Sequence, residues 1–252
     1  VTAQSNGSEN YPRLQTVGID GLLITFADRL SDGANRAALA FRAMIATAKI
    51  EGIKETTTSL ASTFVLFDPV KSDLEHIRAA LLTLLEGTDW SDVPLPQGRR
   101  LWHVPAAFGG TRGPQLDEAA KLAGIDRDQA IEEMTSTRVR VLTIGFAPGQ
   151  PYLGTLPAHW NIPRQSGLTK QVPNGAIAVA IRQLVLFTAA TPTGWRMIGQ
   201  TAFRGFRPDQ EAPFTLGVGD EILFSSISEE ELDHVEHTDQ TGLGGASFEV
   251  IP

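Results

Sequence analysis

From residue 138 onward the sequence falls into short apolar or alternating runs: RVRVLTIGF (138–146), GAIAVAI (175–181), QLVLFTA (183–189), GWRMIGQTAF (194–203) and GDEILFSSI (219–227). Glycine or proline turns separate them at nearly regular intervals, a pattern that predicts a closed or sandwiched β structure. LWHVPAAF (101–108) is a further strand candidate, running into Gly109-Gly110. The chain of 252 residues contains no cysteine, so no disulfide staples these strands and no thiolate is available for zinc or for nucleophilic attack. At that length roughly three quarters of the surface is buried on folding, and no staple is required.

The first 90 residues read differently. LQTVGIDGLLITFA (14–27) carries a strand pattern broken at Gly18 and Gly21. Ser31, Asp32 and Asn35 then supply helix-start chemistry before AALAFRAMIATAKI. SLASTFVLF (59–67) is rich in β-branched and aromatic residues, and Asp68-Pro69 stops it. In KSDLEHIRAALLTLLE (71–86), Leu74, Ile77, Leu81, Leu84 and Leu85 recur at helical spacing. Strands and helices in this order imply helices layered on a sheet. DWSDVPLPQG (89–98) reads as the linker to the strand-rich half, in which PQLDEAAKLAG and DRDQAIEEMTS are short helices. The expected fold class is α+β: a small N-terminal α/β domain at 14–95, then a β-barrel domain at 96–230. Residues 1–13 are expected to be a disordered tail. The acidic, Gly-rich segment 231–252 is expected to form a helical turn and a mobile tail.

Lys and Arg number 21 against 29 Asp and Glu, a formal charge of −8. Such a diffuse acidic surface argues against nucleic acid, whose phosphates need a basic patch. No window approaches the apolar length of a membrane span, and VTAQSNGSENYPRLQ lacks the layout of a signal peptide. A cytoplasmic location is expected. The sequence holds no phosphate-binding loop, no dinucleotide fingerprint, no H-E-x-x-H and no nucleophile elbow. His76 is expected on the polar side of its helix, and His103 at a satisfied core or edge position. His234 and His237 have a spacing that could suit a metal, but a solvated acidic segment explains them equally well, and no metal site is expected. His159 lies within reach of a ligand just past the segment 145–157.

That segment, GFAPGQPYLGTLP, concentrates proline, glycine and large apolar side chains in a single loop. Pro148, Pro151 and Pro157 fix φ and remove donors, so the loop loses little entropy on ordering. Gly149 and Gly154 let backbone pass close to a partner or ligand. The stretch also resembles the G-F-x-P-G-F-P-Y-L-G-G-L signature of the allophanate hydrolase subunit 1 family, which includes the B-type subunit of 5-oxoprolinase, the Kip-type inhibitor of a sporulation histidine kinase and part of urea amidolyase. VPAAFGGTRGPQLDEAAKLAGI, VPNGAIAVA, TPTGWRMIGQT and APFTLGVGDEILF resemble further family segments in the right order. GIDGLLITFAD and SLASTFVLFDP resemble its N-terminal strands more weakly, so the likeness runs from about residue 14 to 227.

The resemblance implies that the second domain is a cyclophilin-like barrel and that the chain is one subunit of an ATP-dependent amide or lactam hydrolase of the 5-oxoprolinase type. ATP would be a co-substrate of the assembled complex. The partners would be a protein of the allophanate hydrolase subunit 2 type (like the C-type subunit of 5-oxoprolinase) and a protein like the A-type subunit of 5-oxoprolinase. The family also allows a regulatory module of the kinase-inhibitor type, or a carboxyltransferase partner of a biotin carrier, although this chain has no biotin-attachment motif. The expected substrate cleft combines Phe146, Pro148, Gly149, Gln150, Pro151, Tyr152, Leu153 and Gly154 with Gln183, Gly194, Trp195, Gly199, Gln200 and Thr201. Gly109, Gly110, His159 and Arg164 are secondary candidates, and no catalytic residue is assigned. The family pattern is broken at Gln150, where it has Phe, at Met134 (His), at Gln115 (Asp) and at Gln200 (Arg). Losing a fixed cation, an anion and an acid–base group bears directly on substrate and on catalysis.

Overall fold

Residues 11–252 are described by a computed structural model, in which the chain divides after Pro96 into two units. In the first unit, β1 (Arg13–Val17) and β2 (Gly21–Thr25) form a hairpin, and β3 (Ile53–Ser59) and β4 (Ser62–Phe67) form another. The antiparallel sheet has the order β1-β2-β4-β3. Helix α1 (Asp32–Ala48) starts at Ser31, whose side chain accepts from the Ala34 amide, and α2 (Leu74–Leu85) starts at Asp73, which accepts from the His76 amide. Leu22 and Ile24 of β2 and Val65 and Phe67 of β4 bury against Ala38, Phe41 and Ile45 of α1 and Ile77 and Leu81 of α2. Alternation along β2 and β4 thus meets the helical stripes the sequence predicts. Phe26, Phe41 and Trp90 close this core, with ring centroids 5.2–5.8 Å apart.

The second unit is built on β5 (Arg99–Phe108). Two short helices follow it, α3 (Leu116–Ala123) and α4 (Arg127–Ser136), the latter opened by a capping box between Asp126 and Gln129. The strands then come in series: β6 (Val139–Ile144), β7 (Pro151–Gly154), β8 (Thr169–Val172), β9 (Ala176–Ala180), β10 (Gln183–Leu186), β11 (Thr191–Thr193), β12 (Arg196–Gln200) and β13 (Glu221–Ser226). A 3-10 turn at Ala158–Trp160 lies between β7 and β8. Hydrogen bonding runs β12-β9-β10-β7-β6-β13-β5, and β5 pairs back to β12, closing a seven-stranded barrel. β8 and β11 form a separate two-stranded sheet.

Period-2 alternation separates two apolar clusters. Leu153, Ile177, Val179, Leu184, Leu186, Ile198 and Phe224 share the main core with Leu116 and Ala120 of α3 and Met134 of α4. The other faces of the same strands, through Ala176, Ala178, Val185 and Met197, form a second cluster with Phe187, Trp195 and Val172, against which Tyr152 packs.

The segment expected to be a tail at 231–252 is ordered secondary structure. Helix α5 (Glu229–Thr238) begins with a capping box between Ser228 and Glu231, and β14 (Ser247–Ile251) pairs antiparallel with the first half of β5. β5 is long enough to take β14 and β12 in succession along one edge, so the end of the chain finds backbone partners there. At the other end, residues 1–10 of the expected 1–13 tail lie outside the described residues, whereas Arg13 already belongs to β1.

Candidate functional site

β7 sends Leu153 into the barrel core and Tyr152 to the opposite face. There Tyr152 meets Trp195, with ring centroids 6.1 Å apart at 72°, an edge-to-face contact. The Arg164 guanidinium lies over the other ring, 5.2 Å from the Trp195 centroid. Trp195 is only 6% exposed, so a ligand at this face meets Arg164 and Tyr152 rather than the indole itself. Gly194 adjoins the same group: a Cβ there would lie 3.6 Å from Leu168 and 4.0 Å from Arg164. Among the described residues, no hydrogen bond or ion pair engages the Tyr152 hydroxyl or the Arg164 guanidinium.

The backbone around Arg164 is fixed. Arg196 donates to the Pro163 carbonyl at 2.6 Å, and the Gln165 amide donates to the Gly194 carbonyl at 2.8 Å. The Gln165 side chain donates to the Trp195 carbonyl at 3.0 Å and accepts from Gln115 at 2.7 Å. Gln165 gave no local signal in the sequence, because its partners Trp195 and Gln115 are 30 and 50 residues away.

The rest of the 145–157 loop is held by its neighbours. Phe146 is 76% exposed and has φ 73°. The Pro148 carbonyl accepts from the Thr188 hydroxyl at 2.8 Å, and Gly149 abuts Gly205. Gln150 is buried, and its side-chain carbonyl has no partner. Pro151 pairs with Ile144, and Gly154 pairs with both Arg140 and Gln183 across the centre of the sheet.

The remaining candidates lie away from the Tyr152–Trp195 contact. Gly199 and Gln200 sit at the far end of β12, opposite Phe108 and Ala107. The Gln200 side chain accepts from Arg112 at 3.1 Å, and Arg112 also pairs with Glu236 at 2.8 Å and with Asp233. Burial works against the charge of Arg112, but the bonds to Asp233 and Glu236 outweigh it and hold its pKa above the ordinary value. The Thr201 hydroxyl donates to the Pro105 carbonyl at 2.6 Å. Thr201 also lines a recess of about 100 Å³ with Asn174, Arg204, Glu236 and Asp239. Gly109 lies against Arg127, and Gly110 against Glu229. His159 contacts Glu133 at 2.7 Å, and the Trp160 indole donates to the same oxygen at 2.6 Å, an arrangement that ties the 3-10 turn to α4.

Three of the four departures from the family pattern, Gln150 excepted, have structural employment. Met134 is core, Gln115 braces β12 by accepting from the Met197 amide at 2.9 Å, and Gln200 is part of the Arg112 network. The other histidines also sit outside any site: His76 is exposed, and His103 is on the solvent side of β5 beside Glu249, 3.5 Å away, where a core or edge position was expected. His237 spends Nδ1 on the Asp233 carbonyl. Among the described residues no group of three or more His, Asp or Glu is placed to hold a metal, and no helix is long and apolar enough to cross a membrane.

An α/β unit followed by a closed seven-stranded barrel, with an aromatic face between a Pro/Gly loop and a tryptophan segment, defines a mixed α/β protein with its candidate site on the barrel. The chain belongs to the family of carboxyltransferase domains, subdomains C and D, whose pattern it matches over residues 12–216. It is 27% identical over 233 residues to the B-type subunit of 5-oxoprolinase from Bacillus subtilis, covering 87% of this chain and 94% of that protein. To the corresponding B-type subunit of 5-oxoprolinase from Haemophilus influenzae it is 32% identical over 161 residues, covering 64% of this chain and 70% of that protein. Among solved structures, the K. lactis urea amidolyase superposes with a TM-score of 0.70 at 15% identity, over 94% of this chain and 16% of that one. The last likeness concerns the fold.

Proposed function

We propose that this chain is one subunit of an ATP-dependent hydrolase that opens a small cyclic amide, with 5-oxo-L-proline as the substrate and L-glutamate as the product. The observation that carries this reading is its likeness to the B-type subunit of 5-oxoprolinase along nearly that protein's whole length. The geometry is consistent with a binding half-site. Tyr152 and Arg164, both in contact with Trp195, offer a phenol and a cation, and none of their named contacts brings an imidazole or a carboxylate to the face. Opening a lactam needs water to add to the carbonyl, the C–N bond to break and the nitrogen to gain a proton, which calls for acid–base groups. In this proposal a protein of the allophanate hydrolase subunit 2 type supplies them and closes the site, and a protein like the A-type subunit of 5-oxoprolinase couples the reaction to ATP.

The test is reconstitution with the products of the neighbouring genes. The assembled complex is expected to form L-glutamate from 5-oxo-L-proline with consumption of ATP, and the chain alone is expected to do neither. Turnover by the lone chain would refute the shared site, and an inactive complex would refute the substrate.

A further inference from the structure

Arg164 combines a clamped backbone with an uncommitted head. On one side Arg196 grips the Pro163 carbonyl and is itself fixed by Glu118 at 2.8 Å. On the other side Gln165 is bonded through both backbone and side chain to the Gly194–Trp195 segment. The guanidinium lies over the Trp195 ring. A cation–π contact of this kind uses none of the guanidinium N–H donors, which stay available to a further partner. No carboxylate meets those donors among the described residues, even though the chain carries 29 acidic residues against 21 basic ones. Tyr152, edge-on to the same indole, has an unengaged hydroxyl. Leu168, 70% exposed, stands beside Gly194 as an apolar rim.

We infer that Arg164, set over the Trp195 ring, is a carboxylate anchor: it takes the carboxylate of a small ligand through two parallel N–H bonds, while Tyr152 addresses the ligand's neutral amide. A carboxylate is planar and accepts two donors in the spacing a guanidinium presents. The fixed backbone and the contact with Trp195 reduce the side-chain freedom left to lose on binding. For the identity of the ligand this rests on the function proposed above, since 5-oxo-L-proline carries a carboxylate, a lactam and ring methylenes on one small frame. The methylenes would lie against Leu168.

The experiment titrates the full-length chain with 5-oxo-L-proline and with 2-pyrrolidinone, the same lactam without the carboxylate, and reads tryptophan emission. Trp195→Phe identifies the Trp195 contribution. In parallel, KM and kcat are measured for the reconstituted complex carrying wild-type chain, Arg164→Lys or Arg164→Gln. Expected are a saturable Trp195 signal with 5-oxo-L-proline, binding of 2-pyrrolidinone at least about 10-fold weaker, and loss of that difference in Arg164→Gln. In the complex, Arg164→Gln should raise KM about 10- to 100-fold with a smaller change in kcat. Arg164→Lys should recover only part of this, because it keeps the charge but not the fork.

If the complex turns over 5-oxo-L-proline and Arg164→Gln does so with wild-type KM, the anchor is wrong and the proposed function stands. If the complex is inactive on 5-oxo-L-proline but acetate or L-proline shifts Trp195 in an Arg164-dependent way, the anchor stands and the substrate falls. If the complex is inactive and neither carboxylate moves Trp195, both fall.

Discussion

Gly149 is glycine for two separate reasons. Its φ is +68°, and a Cβ there would lie 2.6 Å from the Gly205 carbonyl oxygen. Gly205 returns the constraint, since its own Cβ would approach the Gly149 oxygen to 2.8 Å. The Pro/Gly loop is therefore seated by backbone touching backbone, which no side chain larger than hydrogen permits. Gly149→Ala should cost about 1–3 kcal/mol, read as a lowered melting temperature. The same scale decides how the aromatic face is probed. Trp195 is nearly buried in its cluster, so Trp195→Ala should cost about 3–5 kcal/mol of stability and would confound folding with function. Tyr152→Phe keeps the ring and removes only the hydroxyl. It should leave stability within about 0.5 kcal/mol and lower kcat/KM of the complex about 10-fold, and an unchanged kcat/KM would remove Tyr152 from the site.

Among the elements, β14 was the least legible. SFEVI alternates, but it follows an acidic helix and a Gly-rich stretch, and Phe248 and Val250 remain 52% and 69% exposed. Its reason for being a strand is an edge of β5 about 150 residues away, which no local pattern reports. The turn from α5 toward β14 is held by Asp239, whose carboxylate accepts from the Thr241 amide and hydroxyl at 2.9 and 2.6 Å and from the Gly244 amide at 2.7 Å. Gly244 then passes within contact of Ala202 and Phe203, where a Cβ would come within 2.5 Å of backbone. Burial raises the Asp239 pKa, but these hydrogen bonds outweigh it and leave it below the usual 3.8. A carboxyl with a depressed folded pKa binds fewer protons folded than unfolded. Its stabilisation is thus complete above its unfolded pKa and is lost as pH falls through the folded value. Asp239→Asn should reduce amide protection in 241–251 at pH 7, measured by hydrogen exchange. Trp102, whose ring lies 4.7 Å from Phe248, should report the same loosening in the wild type on acidification below that range.

At the scale of the whole molecule, the β-rich second half and the helix-on-sheet first half were legible because burial imposes periods of 2 and 3.6 on the sequence. Tyr152 and Trp195 stood out as large aromatics among prolines and glycines. The clamp around Arg164 did not, because each of its bonds joins segments distant in the chain. Barrel closure is of the same non-local kind. Only Gly199↔Phe108 and Gln200↔Ala107 pair β12 with β5. The seam is then extended by the Gly109 amide donating to the Ile198 carbonyl at 3.0 Å and the Gln115 amide donating to the Met197 carbonyl at 3.0 Å. Gln115 also receives the Met197 amide, so a residue that departs from the family pattern serves the closure. Gly199 is the tight point: a Cβ would lie 2.8 Å from the Ala107 carbonyl oxygen and 2.8 Å from the Phe108 ring. Gly199→Val must push β12 away from β5, opening the barrel where its pairing is thinnest and exposing the edges that the seam covers. The expected result is loss of several kcal/mol, with lowered near-ultraviolet ellipticity and exposure of Trp102 and Trp160 to quencher. Gly18→Val, on an open turn where a Cβ meets nothing closer than 4.0 Å, is the opposite case: it should cost only the backbone strain of its positive φ, about 1–3 kcal/mol, and leave the quenching of Trp102 and Trp160 unchanged. An unshifted melting temperature and unchanged quenching in Gly199→Val would mean that the close pairing at this seam contributes nothing to holding the barrel closed.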